Sequence, residues 1–329
     1  DFVNWITSGD PATQSVRGRG EYQQTFFYYP TNKIRIPVNK ENVLKSGIVK
    51  PEDADKIVDY IDITLPNAID KARVLMLDII ANNDWKRPIY FTGGSMDAAE
   101  YIWMKDYLQL DGLVYKLVPI KTPIDKSNPY DMGRIDSELM YNIVKQWTWG
   151  NMGREDIYLD PETRKNSIIF RGNLARLTEQ LIKEGKKDKA KEVMDIAMKN
   201  MPVASYGYYF SLEPFIKGYY QVGEPQKAQA IAVQIAQKYQ EEMNYYNHLP
   251  AAQLNDNAHK IQYCVDRYGE LLLVTKDYDP AFFQKQWDIF KGSVRLYMRD
   301  KELEEYFFNT PSAPDTLPEP PAPTQDTLE

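Results

Sequence analysis

Four groups of residues have types and spacing that suit chemistry. Gly93-Gly94-Ser95 stands between an extended run and a helical pattern, where backbone amides and a helix N-terminus can hold a phosphate or sugar phosphate. It lacks the spacing of a P-loop or a dinucleotide fingerprint, and Asp97 with Glu100 three residues on suits a helix cap equally well. Trp147, Trp149 and Tyr158, with Arg154 and Asp156 between them, have the composition of a sugar platform. Aromatic faces stack on carbohydrate CH surfaces while Arg and Asp bind hydroxyls, although in a chain with 24 tyrosines the same residues also suit packing between domains. Asp78, Asp84, Asp106 and Asp111 flank one short region, and paired carboxylates can do acid/base work at a sugar bond. At turns such as those of Asp84 and Asp111, solvated acids are the plainer expectation. Asp315-Thr316-Leu317 and Asp326-Thr327-Leu328 are two acidic, hydroxyl, aliphatic triplets in an extended tail.

Other chemistries find little support. His248 and His259 are isolated, Cys264 is alone, and neither a metal site nor an intrachain disulfide is expected. No cofactor motif is present. The net charge of -7 opposes nucleic-acid binding, which needs a basic face. Four acids in the last fifteen residues account for much of it, leaving about -3 for the folded part. No run of about 18 apolar residues occurs, so no membrane span is expected within these residues. The first residue is Asp1 rather than Met, with no signal-like segment, which suggests a piece of a longer protein or a processed form.

The elements that must position these groups fall into two classes. Asp84-Trp85-Lys86-Arg87-Pro88-Ile89-Tyr90-Phe91-Thr92 reads as a buried strand, with a helical pattern before it (about Ala68 to Asn82) and another after it (Ala99, Ile102, Trp103, Tyr107). The extended run Leu113 to Pro119 follows, so the order predicts a βαβ unit with a parallel pair. Upstream, Tyr22 to Tyr29 and Lys33 to Val38 read as a hairpin about Pro30-Thr31-Asn32. Residues 1–21 read as a loosely ordered start, and a helix is expected from Ser137 to Trp147.

Beyond a boundary near Asp160-Pro161 the pattern is helical. Gly185-Lys186-Lys187-Asp188-Lys189-Ala190 aligns with Gly223-Glu224-Pro225-Gln226-Lys227-Ala228 at a separation of 38 residues. The first copy fits the tetratricopeptide pattern: Leu174, Leu177 and Leu181 on one helix, Ala190, Met194 and Ala197 on the next, and Pro202 as the stop. The second copy has Leu212, Phe215, Tyr219, Ala228, Ala232 and Ile235, with Pro214 forcing a late start or a kink. A third copy runs through Val265, Tyr268, Gly269, Leu272 and Ala281. On such repeats the residues of the first helices that do not pack inward line a groove. Here they are Arg176, Glu179, Lys217 and Tyr220, suited to an extended peptide or to a plain solvated face. The expected organisation is a mixed α/β domain over 22–160, a tetratricopeptide-like helical domain over 161–308, and a disordered proline-rich acidic tail over 309–329.

Tyr28-Tyr29-Pro30-Thr31, the Asp84 to Phe91 stretch, Asp111-Gly112-Leu113-Val114-Tyr115-Lys116-Leu117-Val118-Pro119, Trp149-Gly150-Asn151, and Tyr158-Leu159-Asp160 with Arg164 carry a resemblance. They resemble the soluble C-terminal part of a family of bacterial multi-pass membrane proteins of unknown function that is similar to protein O-mannosyltransferases. The resemblance runs from about Tyr22 to Tyr246. It implies a periplasmic, extracytoplasmic region of a membrane-embedded glycosyltransferase-like protein, joined to the membrane through a missing N-terminal multi-span part. Catalytic acids of such enzymes lie in the membrane part, so no catalytic residue is assigned here. The implied partners are an acceptor protein or peptide and a glycan. The triplets around Thr316 and Thr327 resemble O-glycosylation sites of bacteria carrying this family. Two alternatives from other classes remain: a non-enzymatic interaction module acting through helical repeats, and a carbohydrate-active enzyme using carboxylates near Gly93-Gly94.

Overall fold

The computed structural model describes residues 4–5, 7–28, 31–65, 69, 71–92, 102–123 and 132–309. They divide into two compact units, one ending at Thr148 and one running from Trp149. The first unit is built of small antiparallel sheets with short helices, and the second is largely helical.

In the first unit, strand β1 (Gln14–Arg17) pairs with β2 (Gln24–Phe27), and β3 (Lys33–Pro37) pairs with β4 (Tyr60–Thr64). The hairpin expected between the runs at Tyr22 and Lys33 is therefore not made. Alternation explains the choice of partner. Ile34 lies opposite Ile63 and Ile36 opposite Ile61, which puts buried Ile36, Ile61 and Ile63 on one face, while Arg35 and Asp62 form an ion pair of 2.7 Å on the wet face. Helix α1 (Lys40–Lys45) lies between β3 and β4 in the chain, begun by Asn39, whose side chain accepts the Asn42 amide.

Helix α2 (Lys71–Asn83) leads to the turn at Asp84 and Trp85, both left-handed with φ of 47° and 58°. That conformation costs a non-glycine residue about 1–2 kcal/mol. Side-chain bonds hold it: Asn39 and Asn42 donate to the Asp84 carboxylate at 3.2 and 2.9 Å, and the Trp85 indole N–H donates to the Pro37 carbonyl at 2.9 Å. Trp85 is buried.

The third sheet has the order β5 (Tyr90–Thr92), β7 (Val114–Leu117), β6 (Leu108–Asp111), all antiparallel. This corrects the βαβ expectation. The strand at Tyr90 is an edge strand with Tyr90 half exposed, and its partner runs the opposite way. The local reason is the turn Asp111-Gly112-Leu113, with Gly112 at φ 72°, which folds β6 back onto β7 as a hairpin. Residues 132–135 add one more rung, with Arg134 bridged in parallel to Gln109. Helix α3 (Ser137–Lys145) follows, capped by Asp136.

The second unit begins its helices at α4 (Pro161–Lys183), where the Asp160 carboxylate accepts the amides of Glu162 and Thr163 at 3.0 Å. Then come α5 (Lys187–Asn200), the short α6 (Val203–Tyr206), α7 (Glu213–Val222), α8 (Pro225–Asn247), α9 (Ala251–Asp256), α10 (Ala258–Lys276), α11 (Pro280–Val294) and α12 (Asp300–Asn309). Helices pair as α4 with α5, α7 with α8, and α10 with α11, and each pair packs on the next. Pro214 sits in the first turn of α7, so that helix starts late instead of kinking. The inward positions of the first pair are all buried: Leu174, Leu177, Leu181, Ala190, Met194 and Ala197. So are Leu212, Phe215, Tyr219, Ala228, Ala232 and Ile235 of the second, and Val265, Tyr268, Gly269 and Leu272 on α10, whereas Ala281 is exposed. Burial of each large apolar side chain contributes about 1.5–3 kcal/mol. Gly218 marks a close approach, since a Cβ there would stand 2.7 Å from the Met194 Sδ.

One cation is sealed inside this stack. Arg171 on α4 is completely buried and donates to the carbonyls of Gly207 and Met201 at 2.6 and 3.0 Å, with its guanidinium over the Tyr206 ring. Burial pulls its pKa down to about 10.

Candidate functional site

The sheet β5–β7–β6 has an apolar and a polar face. Leu108 and Leu110 alternate with Gln109 and Asp111, and Tyr115 and Leu117 with Lys116. The register sets Arg134, Gln109, Lys116 and Tyr90 in one row across four neighbouring segments. A polar sheet face normally meets water, yet Gln109, Asp111 and Lys116 on this face are each less than a tenth exposed. Over this row lies a cleft of about 240 Å³, lined also by Gly47, Lys50, Asp53, Asp136 and Glu138.

The charges in and beside the cleft gather about three carboxylates, Asp111, Asp53 and Asp136. Lys116 meets Asp111 at 3.0 Å, and Gln109 Nε2 donates to the same carboxylate at 2.9 Å. Lys56 and Arg134 both donate to buried Asp53, at 2.6 and 2.9 Å. Lys50 meets Asp136 at 2.8 Å, a carboxylate that also accepts the Leu139 amide. Charges this deep persist only when matched, and Asp53, Asp111 and Asp136 are each matched. Asp111 was expected at a solvated turn; Lys116 and Gln109 instead allow its burial. Asp84 bonds to Asn39 and Asn42, while Asp78 accepts from Asn82 at 3.0 Å.

Burial pushes the Asp53 carboxyl upward, but the bonds from Lys56 and Arg134 outweigh it and hold the pKa below the usual carboxylate range. A carboxyl lowered in the fold stabilises above its unfolded pKa of about 4 and loses that contribution as pH falls through the folded value. Thermal unfolding followed from about pH 6 to pH 3 should therefore show a falling midpoint. Asp53→Asn should start lower and give a flatter profile.

The second unit offers an open cleft of about 310 Å³, lined by Glu155, Ile157, Tyr158, Leu159, Arg164, Ala204 and Ser205. Tyr158 is 84% exposed, so its ring face is available. The Arg164 Nε is buried without a hydrogen-bond partner among the described residues. The other stacking candidates lie apart from this cleft's lining. Trp149 packs on Phe170 with ring centroids 5.8 Å apart, Arg154 pairs with Asp156, and Trp147 belongs to the first unit, against Gly112.

The groove candidates sit on first helices of successive pairs. Arg176 and Glu179 are on α4, half-buried and exposed, and Lys217 is exposed on α7. One face of Tyr220 is occupied, because its ring stacks on Tyr278 at 5.2 Å and 7°. Gly93, Gly94, Ser95, Thr316 and Thr327 lie outside the described residues.

The buried charges were hard to find in advance. Lys116 within Leu113-Val114-Tyr115-Lys116-Leu117-Val118 has the pattern of a residue on a wet strand face, and Asp53 follows Pro51 as an ordinary first-turn acid. Only the Asp111-Gly112 pair gave a signal, as a hairpin turn.

Residues 1–139 match the family model of TMEM260-associated domain 2, a match that ends inside α3 and so spans nearly all of the first unit. No curated protein and no solved structure matches the chain. No helix among the described residues is long and apolar enough to cross a membrane.

Proposed function

We propose that this chain is the extracytoplasmic region of a membrane-embedded glycosyltransferase-like protein, non-catalytic by itself, which holds the acceptor protein or the glycan donor near the membrane part. The observation that carries the reading is the match of residues 1–139 to a TMEM260-associated domain. The resemblance of the wider chain to the O-mannosyltransferase-like family supports it, as does the following stack of helix pairs, whose inward positions fit tetratricopeptide spacing. Periplasmic location on a bacterial membrane is part of the same proposal.

A second reading, an interaction module working through the helical pairs alone, draws on the placement of Arg176, Glu179 and Lys217 on successive first helices. One titration separates the readings. The purified chain is titrated with acceptor peptides and with short mannose-containing glycans. Under the first reading a glycan binds at the open cleft, and Tyr158→Ala removes that binding. The variant should leave stability within about 0.5 kcal/mol, because the ring is exposed. Peptide binding lost in Arg176→Glu with Lys217→Glu, without any glycan binding, selects the interaction module. Binding of neither class would overturn both.

A further inference from the structure

The cleft of the first unit has spare hydrogen-bond donors. Its buried acids are taken: Asp53 by Lys56 and Arg134, Asp111 by Lys116 and Gln109, and Asp136 by Lys50 and the Leu139 amide. The donors are not. Arg134 uses Nη2 on Asp53, whereas its Nη1 is buried with no hydrogen-bond partner among the described residues. The Lys116 ammonium has three N–H groups and one carboxylate partner, and its side chain is 6% exposed. Register places these two side chains on either side of Gln109 along one row, with a strand spacing of about 4.8 Å for each step. Long side chains from the two ends of such a row can converge on one group above its middle.

We propose that this cleft binds a small oxyanion, a carboxylate or phosphate group, with its oxygens on Arg134 Nη1 and Lys116 Nζ. Three features fit that occupant. Arg134 Nη1 and Lys116 Nζ are both cationic donors, and charge-assisted bonds to an anionic oxygen are the strongest they can make. Arg134 is already oriented by Asp53, so binding costs little further ordering. The cleft volume of about 240 Å³ suits a small acid or phosphate ester better than a polymer segment. This site is independent of the glycan and peptide surfaces proposed for the second unit, and it stands or falls separately from them.

The test is a titration of the intact chain with inorganic phosphate and, separately, with acetate, followed by amide chemical shifts. Saturable shifts at Gly47, Lys50 and Arg134 are expected for at least one anion, with a Kd of about 1 mM or tighter. The phosphate and acetate arms tell which oxyanion the site takes. Arg134→Gln should abolish the saturable response while Lys56 still pairs with Asp53. Arg134→Lys, which keeps the charge but loses the fork, should bind at least about tenfold more weakly and serves as the readout where the Gln variant does not fold. No saturable response to either anion, or an equal response in both variants, would overturn the proposal.

Discussion

Gly133→Ala is expected to unfold the first unit. Gly133 has φ of 66°, a conformation that costs an L side chain about 1–2 kcal/mol. An added Cβ would also stand 1.8 Å from the Leu108 carbonyl oxygen, a backbone atom that no rotamer change can move. Relief requires the segment to leave β6. Two backbone bonds would then be lost, Arg134 N–H to Leu108 O at 2.8 Å and Leu110 N–H to Arg134 O at 2.9 Å. Leaving such groups unpaired inside costs about 1–3 kcal/mol each. The total, roughly 2–6 kcal/mol, approaches the whole stability of many domains. Arg134 would also leave its place in the charged row. Urea unfolding followed by the amide NMR signals of the first unit checks this, and a variant within about 1 kcal/mol of the parent would refute it.

Raising the pH through about 10 to 12 should unfold the second unit in one step. Its core holds Tyr219, Tyr239, Tyr246 and Tyr268, each at most 5% exposed, and burial raises the pKa of every one. Tyr268 is pushed up to about 12, and the half-buried Tyr220 also to about 12. A hydrogen bond to Asp195 adds to the rise at Tyr219, and the Glu242 carboxylate to that at Tyr246. Buried Cys264 is raised as well. A group raised in the fold stabilises fully below its unfolded pKa, and that contribution disappears as pH climbs toward the folded value. Two pKa steps at Tyr268 alone correspond to about 3 kcal/mol, and the other phenols act in the same direction. Arg171 acts oppositely, since its depressed pKa relieves the cost of burying its charge at high pH, but it is one group against several. Tyrosinate absorbance and helical circular dichroism should therefore change together. Tyr239→Phe should move the midpoint upward, and tyrosines titrating near their ordinary value without loss of helix would contradict the argument.

The parts of this fold that the sequence makes legible are those fixed by local periodicity. Leu174, Leu177 and Leu181 repeat at helical spacing and all face inward, and Pro214 begins α7 as a proline in a first turn should. Strand partners were less legible, because alternation says which face is apolar but not which neighbour will cover it. The run at Lys33 could pair with either neighbour on pattern alone, and the match of Ile34 and Ile36 to Ile63 and Ile61 decided it. The polar cleft was the least legible feature. A Lys on a strand is ordinarily a sign of solvent, and only three dimensions bring Lys50, Asp53 and Asp136 over Lys116. Of the glycan candidates, Tyr158 has an open cleft beside it, whereas Trp149 has Phe170 as a neighbour.

The left-handed turn at Asp84 and Trp85 has a consequence for how this sequence can change. A glycine at either place would relax the backbone, yet at Trp85 it would remove the indole that fills the core and bonds to the Pro37 carbonyl. At Asp84 it would strip the acceptor that Asn39 and Asn42 share. Local strain and long-range anchoring thus oppose each other at both sites, and neither improves by a single step. In evolutionary terms Asn39, Asn42, Asp84 and Trp85 form one inherited word, to be kept whole or respelled together.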